Sequence, residues 1–134
     1  MRKFAAVLLK QGENFLLQHR DDKPGIVSPG KYAVWGGALE GDESFEQGAL
    51  RELKEETGVL CSVSDLLLIE KFVLSAAENT QRNYAAEIAV YLVEVDASIN
   101  VNCYEGQGIV KFKSLADVPG DKLSFPLDQL PGRF

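Results

Sequence analysis

Apolar residues in this chain gather into short runs separated by residues that favour turns. Phe4 to Lys10 and Asn14 to Arg20 are two such runs, and Gln11-Gly12-Glu13 between them reads as a hairpin. Asp21 to Lys31 is a loop by composition, with Pro24, Gly25, Pro29 and Gly30. Tyr32 to Trp35 is short and β-prone. A further strand is expected from Leu67 to about Leu74, then a polar turn over 76–81 and a strongly apolar run from Tyr84 to Val95. Glu87 interrupts that run, and an outward position on the sheet explains it more simply than a place in a substrate cavity. Asp96 to Gly108 is a polar loop and Gly108 to Phe112 a last strand. From Lys122 to Phe134 the prolines allow at most a short helix near Leu127.

The one strong helical pattern lies between Ser44 and Gly58. Ser44 and Gln47 have the form of a capping box, and Gly58 is the matching stop. At about 100° per residue, Ala49, Leu50, Leu53 and Thr57 share one side while Glu52, Glu55 and Glu56 share another. Like charges at these spacings destabilise a helix, so stability alone would intersperse Lys or Arg. On residue types alone, a solvated acidic face and a shared divalent cation both account for the cluster. Hard cations such as Mg2+ take oxygen ligands and share their shell with phosphates.

The spacing separates these readings. Gly37, five residues, Glu43, seven residues, Arg51-Glu52-Leu53, one residue, Glu55-Glu56, one residue, Gly58-Val59 resembles the Nudix box, with every fixed position filled. The resemblance implies an α/β fold, an α/β/α sandwich with a mixed β-sheet, formed by residues 1–134 as a single domain. It implies Mg2+, or Mn2+, held by Gly37, Glu52, Glu55 and Glu56. Glu52, Glu55 and Glu105 are the candidate catalytic carboxylates, with the general base open between Glu55 and Glu105. Glu43 and Arg51 match a structural pair that holds the loop over the helix.

The activity so implied is hydrolysis of a phosphoanhydride in a nucleoside diphosphate linked to another moiety. Nucleoside triphosphates, including oxidised ones, and nucleotide sugars are the substrates retained. The alternative is a domain that senses a nucleotide or binds a partner without catalysis. Arg20, Lys23 and Lys31 are candidate phosphate contacts. Trp35 stands where many family members have proline, so its indole either stacks on a base or fills core.

The remaining composition narrows partners. A net charge of -6 disfavours binding to a nucleic-acid polymer, which needs a basic face. It does not disfavour a small anionic substrate once a cation is supplied. Cys61 and Cys103 have neither disulfide-framework nor zinc spacing, and His19 is the lone histidine, better suited to packing or a strand end than to base catalysis. These features point to a reducing cytoplasm. Lys10 ends the first apolar run too early for a signal peptide, and no stretch is long and apolar enough to span a bilayer. A homodimer is compatible with the family pattern, but no self-complementary surface is legible.

Overall fold

A computed structural model describes residues 1–79 and 83–134. Among these, β1 (Arg2–Gln11), β2 (Asn14–His19), β3 (Tyr32–Ala33), β4 (Trp35–Ala38), β5 (Leu67–Leu74), β6 (Ala86–Val95) and β7 (Gly108–Phe112) form one mixed sheet. A single α-helix, α1 (Phe45–Thr57), lies against it. The turn expected over 76–81 is present at 76–78, and its last residues lie outside the described part of the chain.

β1 is the axis of the sheet. One edge pairs in parallel with β6 along its whole length, Arg2 against Ala86 through Gln11 against Val95. The other edge is shared: Leu9 to Gln11 pair with β2, and Phe4 to Val7 pair with β4. β1 and β2 therefore part after the hairpin. β3 joins β2, β4 joins β1, and the two short strands with Val34 between them fill the wedge. The expected strand over 32–35 is thus two strands, the second of which runs on through Gly36 and Gly37. This wedge brings the glycine pair to the sheet's interior, beside α1.

Alternation along β1 and β6 gives the sheet two apolar faces. Val7, Leu9, Trp35, Tyr91 and Val93 pack with Ala49 and Leu53 of α1 on one. Leu8, Leu17, Val90, Leu115, Leu127 and Leu130 pack on the other. The short helix expected near Leu127 is present as a single turn on the face opposite α1. The far face is covered by the C-terminal segment, which makes only single 3-10 turns at Leu115–Asp117, Gly120–Lys122 and Leu127–Gln129. Pro119, Pro126 and Pro131 recur too often for α-helix to propagate, since each removes a donor and clashes with the preceding turn. Buried leucines on the turns still seal the sheet.

Among the described residues no helix is long and apolar enough to cross a membrane. Glu87 sits on the α1 side of β6 in an ion pair with Lys71 at 2.7 Å, which lowers its pKa. His19 ends β2 and meets Tyr32 edge-on, ring centroids 5.1 Å apart. Both cysteines are free and half-buried.

Candidate functional site

The capping box forms as expected. Gln47 donates its backbone N–H to Ser44 Oγ at 3.1 Å, and the Ser44 N–H is accepted by Gln47 Oε1 at 2.9 Å. Gly58 closes the helix in the left-handed conformation, its N–H bonded to the Lys54 carbonyl. With both ends fixed, the side chains at 52 and 56 project toward β4. Glu56 is only 8% exposed, and its Oε1 accepts from the Gly36 N–H at 2.9 Å. Gly37 lies against the neighbouring carboxylate: a Cβ there would stand 2.6 Å from Glu52 Oε1. A side chain at 37 would have to displace that carboxylate.

A third carboxylate arrives on the loop after β6. Asn102 and Tyr104 donate their backbone N–H groups to the carbonyls of Thr57 and Glu56, each at 3.0 Å. These bonds lay the loop along the last turn of α1 and bring Glu105 into the field of Glu56. The Glu56 carboxyl is pushed up to about 8, chiefly by burial and then by the negative charges of Glu52 and Glu105, while the Gly36 amide pulls it down. Glu52, Glu56 and Glu105 thus converge on one region, whereas Glu55 sits apart, its side chain 56% exposed.

Arg51 orders the other side of the cluster. Its guanidinium makes a bidentate pair with Glu43, at 2.7 and 2.9 Å, and reaches Glu52 at 3.0 Å, Glu55 at 3.1 Å and the Ala38 carbonyl at 3.0 Å. The arginine beside Glu43 holds that carboxyl below the usual range. Among the described residues no three acidic, histidine or cysteine side chains are already closed around a point. Arg51 holds Glu55 outward, while Glu52 stands between that guanidinium and the Glu56 carboxyl, to which it is hydrogen-bonded. The donor set nevertheless fits a hard dication: it is all oxygen, Glu56 is buried without a cationic side chain among the described residues, and Gly37 leaves room against Glu52.

Two cavities flank this cluster. One of about 270 Å3 touches Gly36 and Gly37 and lies on the far face of the sheet, walled by Phe4, Ala6, Ile88, Phe125 and Pro126. A second of about 520 Å3 is lined by Gln18, Lys23, Tyr104 and Glu105. Arg20 borders both, its Nε donating to the Val27 carbonyl at 2.7 Å.

A family model described as the NUDIX domain matches residues 1–131. The chain belongs to the Nudix family of hydrolases. Solved structures share the fold of this Nudix domain at low sequence identity. A C. elegans Ap4A hydrolase, in a binary complex, matches at 19% identity with a TM-score of 0.72, over 97% of this chain and 92% of that one. A MutT NUDIX hydrolase from Burkholderia pseudomallei matches at 22% identity with a TM-score of 0.69, over 88% and 86%. A MutT/nudix family protein from Enterococcus faecalis matches at 21% identity with a TM-score of 0.67, over 83% of this chain but 43% of that one.

Within the Nudix box, then, Gly37, Glu52 and Glu56 are gathered, Glu43 and Arg51 form the expected pair, and Glu55 is turned outward onto Arg51. Of the two readings of Trp35, the core one holds and a place against the substrate does not. Trp35 is fully buried in the core against α1, and its indole N–H is bonded to the Leu16 carbonyl at 2.9 Å, so it has no face to offer a base. Lys23 pairs with Asp21 at 3.8 Å on the rim of the larger cavity, and Lys31 lines a separate groove beside Phe72. The apolar cavity was not legible in the sequence because its walls come from β1, β6 and the C-terminal segment. The clue available was Ser124-Phe125-Pro126, an apolar pair in an otherwise turn-rich stretch.

Glu43→Gln should lower the melting temperature by a few degrees while reducing kcat by less than about tenfold. It removes one side of a bidentate pair that orients Arg51 but leaves Glu56 in place. Thermal melts and steady-state kinetics on the variant check both, and a kinetic loss as deep as that of Glu56→Gln would contradict this division of roles.

Proposed function

We propose that this Nudix domain hydrolyses a phosphoanhydride in a nucleoside diphosphate linked to a further group, with a nucleoside triphosphate as the preferred substrate class and a nucleotide sugar second. The observation that carries the reading is the convergence of Glu52, Glu56 and Glu105 beside Gly36-Gly37, next to an apolar cavity large enough for a base. One neighbour of the same fold is an Ap4A hydrolase, whose substrate also carries a phosphoanhydride chain.

Glu52, Glu56 and the Gly37 carbonyl would hold Mg2+ or Mn2+, with Glu55 joining them when it leaves Arg51. The dication would neutralise phosphate oxygens and acidify water. Phe4, Ile88 and Phe125 would receive the base, and Arg20, between the two cavities, would meet the phosphates. Glu105, carried on the loop and not engaged by Arg51, is the stronger candidate to take the proton from the attacking water; Glu55 begins bound to that arginine. The two free thiols suit a reducing cytoplasm.

Incubating the purified protein with Mg2+ and a panel of nucleoside triphosphates, nucleotide sugars and dinucleoside polyphosphates, and assaying pyrophosphate and phosphate, tests this directly. Release from a nucleoside triphosphate, abolished by EDTA, is expected. Tight binding with no release from any member would replace hydrolysis by nucleotide sensing.

A further inference from the structure

We propose that Gln18 is a positioning residue for Glu105, its buried carboxamide anchoring the loop that carries this carboxylate to the end of β2. The proposal rests on the reading of Glu105 as the proton acceptor.

Gln18 directly follows the apolar run Phe15-Leu16-Leu17 in β2 and is only 5% exposed. A carboxamide in such a place costs free energy unless it is bonded, and an apolar side chain would pack there without that cost. Its Nε2 donates to the Glu105 carbonyl at 3.2 Å, and the Cys103 thiol donates to the same oxygen at 2.6 Å. Two further bonds tie the loop to the end of β2 and the residue after it: the Gln107 N–H to the His19 carbonyl at 2.7 Å, and Gln107 Nε2 to the Arg20 carbonyl at 2.8 Å. Gly106 permits this approach, with φ +85° and no room for a Cβ, which would stand 2.5 Å from the His19 oxygen.

At its other end the loop is tied to α1 by the bonds from Asn102 and Tyr104. Residues 102–107 therefore form a strut between helix and strand, with Glu105 on its span. Among the described residues no hydrogen bond or ion pair engages the Glu105 carboxylate itself, so its reach is set from the backbone position that the strut holds. From β2, Gln18 supplies the buried donor that, together with the Cys103 thiol, holds the carbonyl of the residue carrying the base.

The test compares Gln18→Met, Glu105→Gln and the double variant. Two readouts are used: amide hydrogen exchange of residues 104–107 without metal, and steady-state kinetics with Mg2+ and a nucleoside triphosphate. Gln18→Met keeps length and removes the donor. Exchange in the loop should rise about tenfold while the amides of α1 hold, and kcat should fall about tenfold with KM within about twofold. Glu105→Gln should cost about a hundredfold in kcat, and the double variant should be no slower than Glu105→Gln alone. Should Gln18→Met fail to fold, Gly106→Ala on the exposed loop must reproduce the same kinetic loss.

Unchanged loop exchange, an unchanged kcat beside a slow Glu105→Gln, or additive losses in the double variant would each overturn the positioning role. A Glu105→Gln enzyme of normal rate would overturn the base assignment, and the positioning role for catalysis with it; the exchange data, read without substrate, tell the two failures apart.

Discussion

Glu56→Gln should give a folded protein whose turnover at saturating Mg2+ is about a thousandfold lower, a loss of about 4 kcal/mol of transition-state stabilisation. The substitution is nearly isosteric, and the Gln carbonyl oxygen can still accept from the Gly36 N–H, so the contact between α1 and β4 survives. What disappears is the charge buried deepest in the cluster. The same change should stabilise the metal-free protein at neutral pH. The Glu56 carboxyl titrates at about 8 in the folded chain against an ordinary value of 4.5, so the folded state holds its proton more tightly than the unfolded state.

The stabilisation that goes with that proton is complete below about pH 4.5 and is lost as pH climbs toward 8. The negative charges of Glu52 and Glu105 beside Glu56 add to the loss; the Gly36 amide offsets part of it. In EDTA the wild-type melting temperature should therefore fall between about pH 5 and 8, and added Mg2+ should restore it at the upper end. Glu56→Gln should show a flatter profile and little response to Mg2+. Near-normal turnover in this variant would remove Glu56 from the ion-binding set, and a variant that does not fold would make its role structural.

Gly36→Ala should be the most damaging single-atom addition in the sheet, costing about 3 kcal/mol or more. Gly36 has φ +149°, and a Cβ there would press into the Ala5 carbonyl oxygen and stand 2.8 Å from the Ala6 Cα. Those atoms belong to β1, which has little freedom to yield because its opposite edge is bonded to β6 throughout. β4 must then peel away, taking with it the N–H that Glu56 accepts. A melting temperature about 10 °C lower and a collapse in activity are expected together. An Ala variant that melts with the wild type would mean that the wedge is looser than its register implies.

The helix and its acids were legible because every determinant lies within one short stretch: caps at Ser44 and Gly58, apolar period, and box spacing. The longer strands were legible for the same local reason. The wedge was not, since β3 and β4 owe their existence to β1 and β2 parting, which no run of residues announces. Trp35 shows the limit most sharply. Its neighbours suggested a choice between base and core, and the decision came from the Leu16 carbonyl and the packing of Ala49 and Leu53 around it. The form of the far layer was legible as well: the prolines of the tail allow at most a short helix near Leu127, and a 3-10 turn over Leu127–Gln129 is what forms there. Gln18 left a faint trace in the sequence, a lone amide in a buried strand, but its partner is far along the chain.

The parallel pairing of β1 with β6 also sets an order of events during synthesis. β1 leaves the ribosome long before β6 is made, so its full parallel edge waits without a partner while β2, β4 and α1 accumulate beside it. Closing that seam joins residues separated by most of the chain, a high-contact-order step that makes folding slow and leaves a nascent edge open to wrong pairings. A translational pause placed after β6, rather than before it, should therefore favour recovery of native protein.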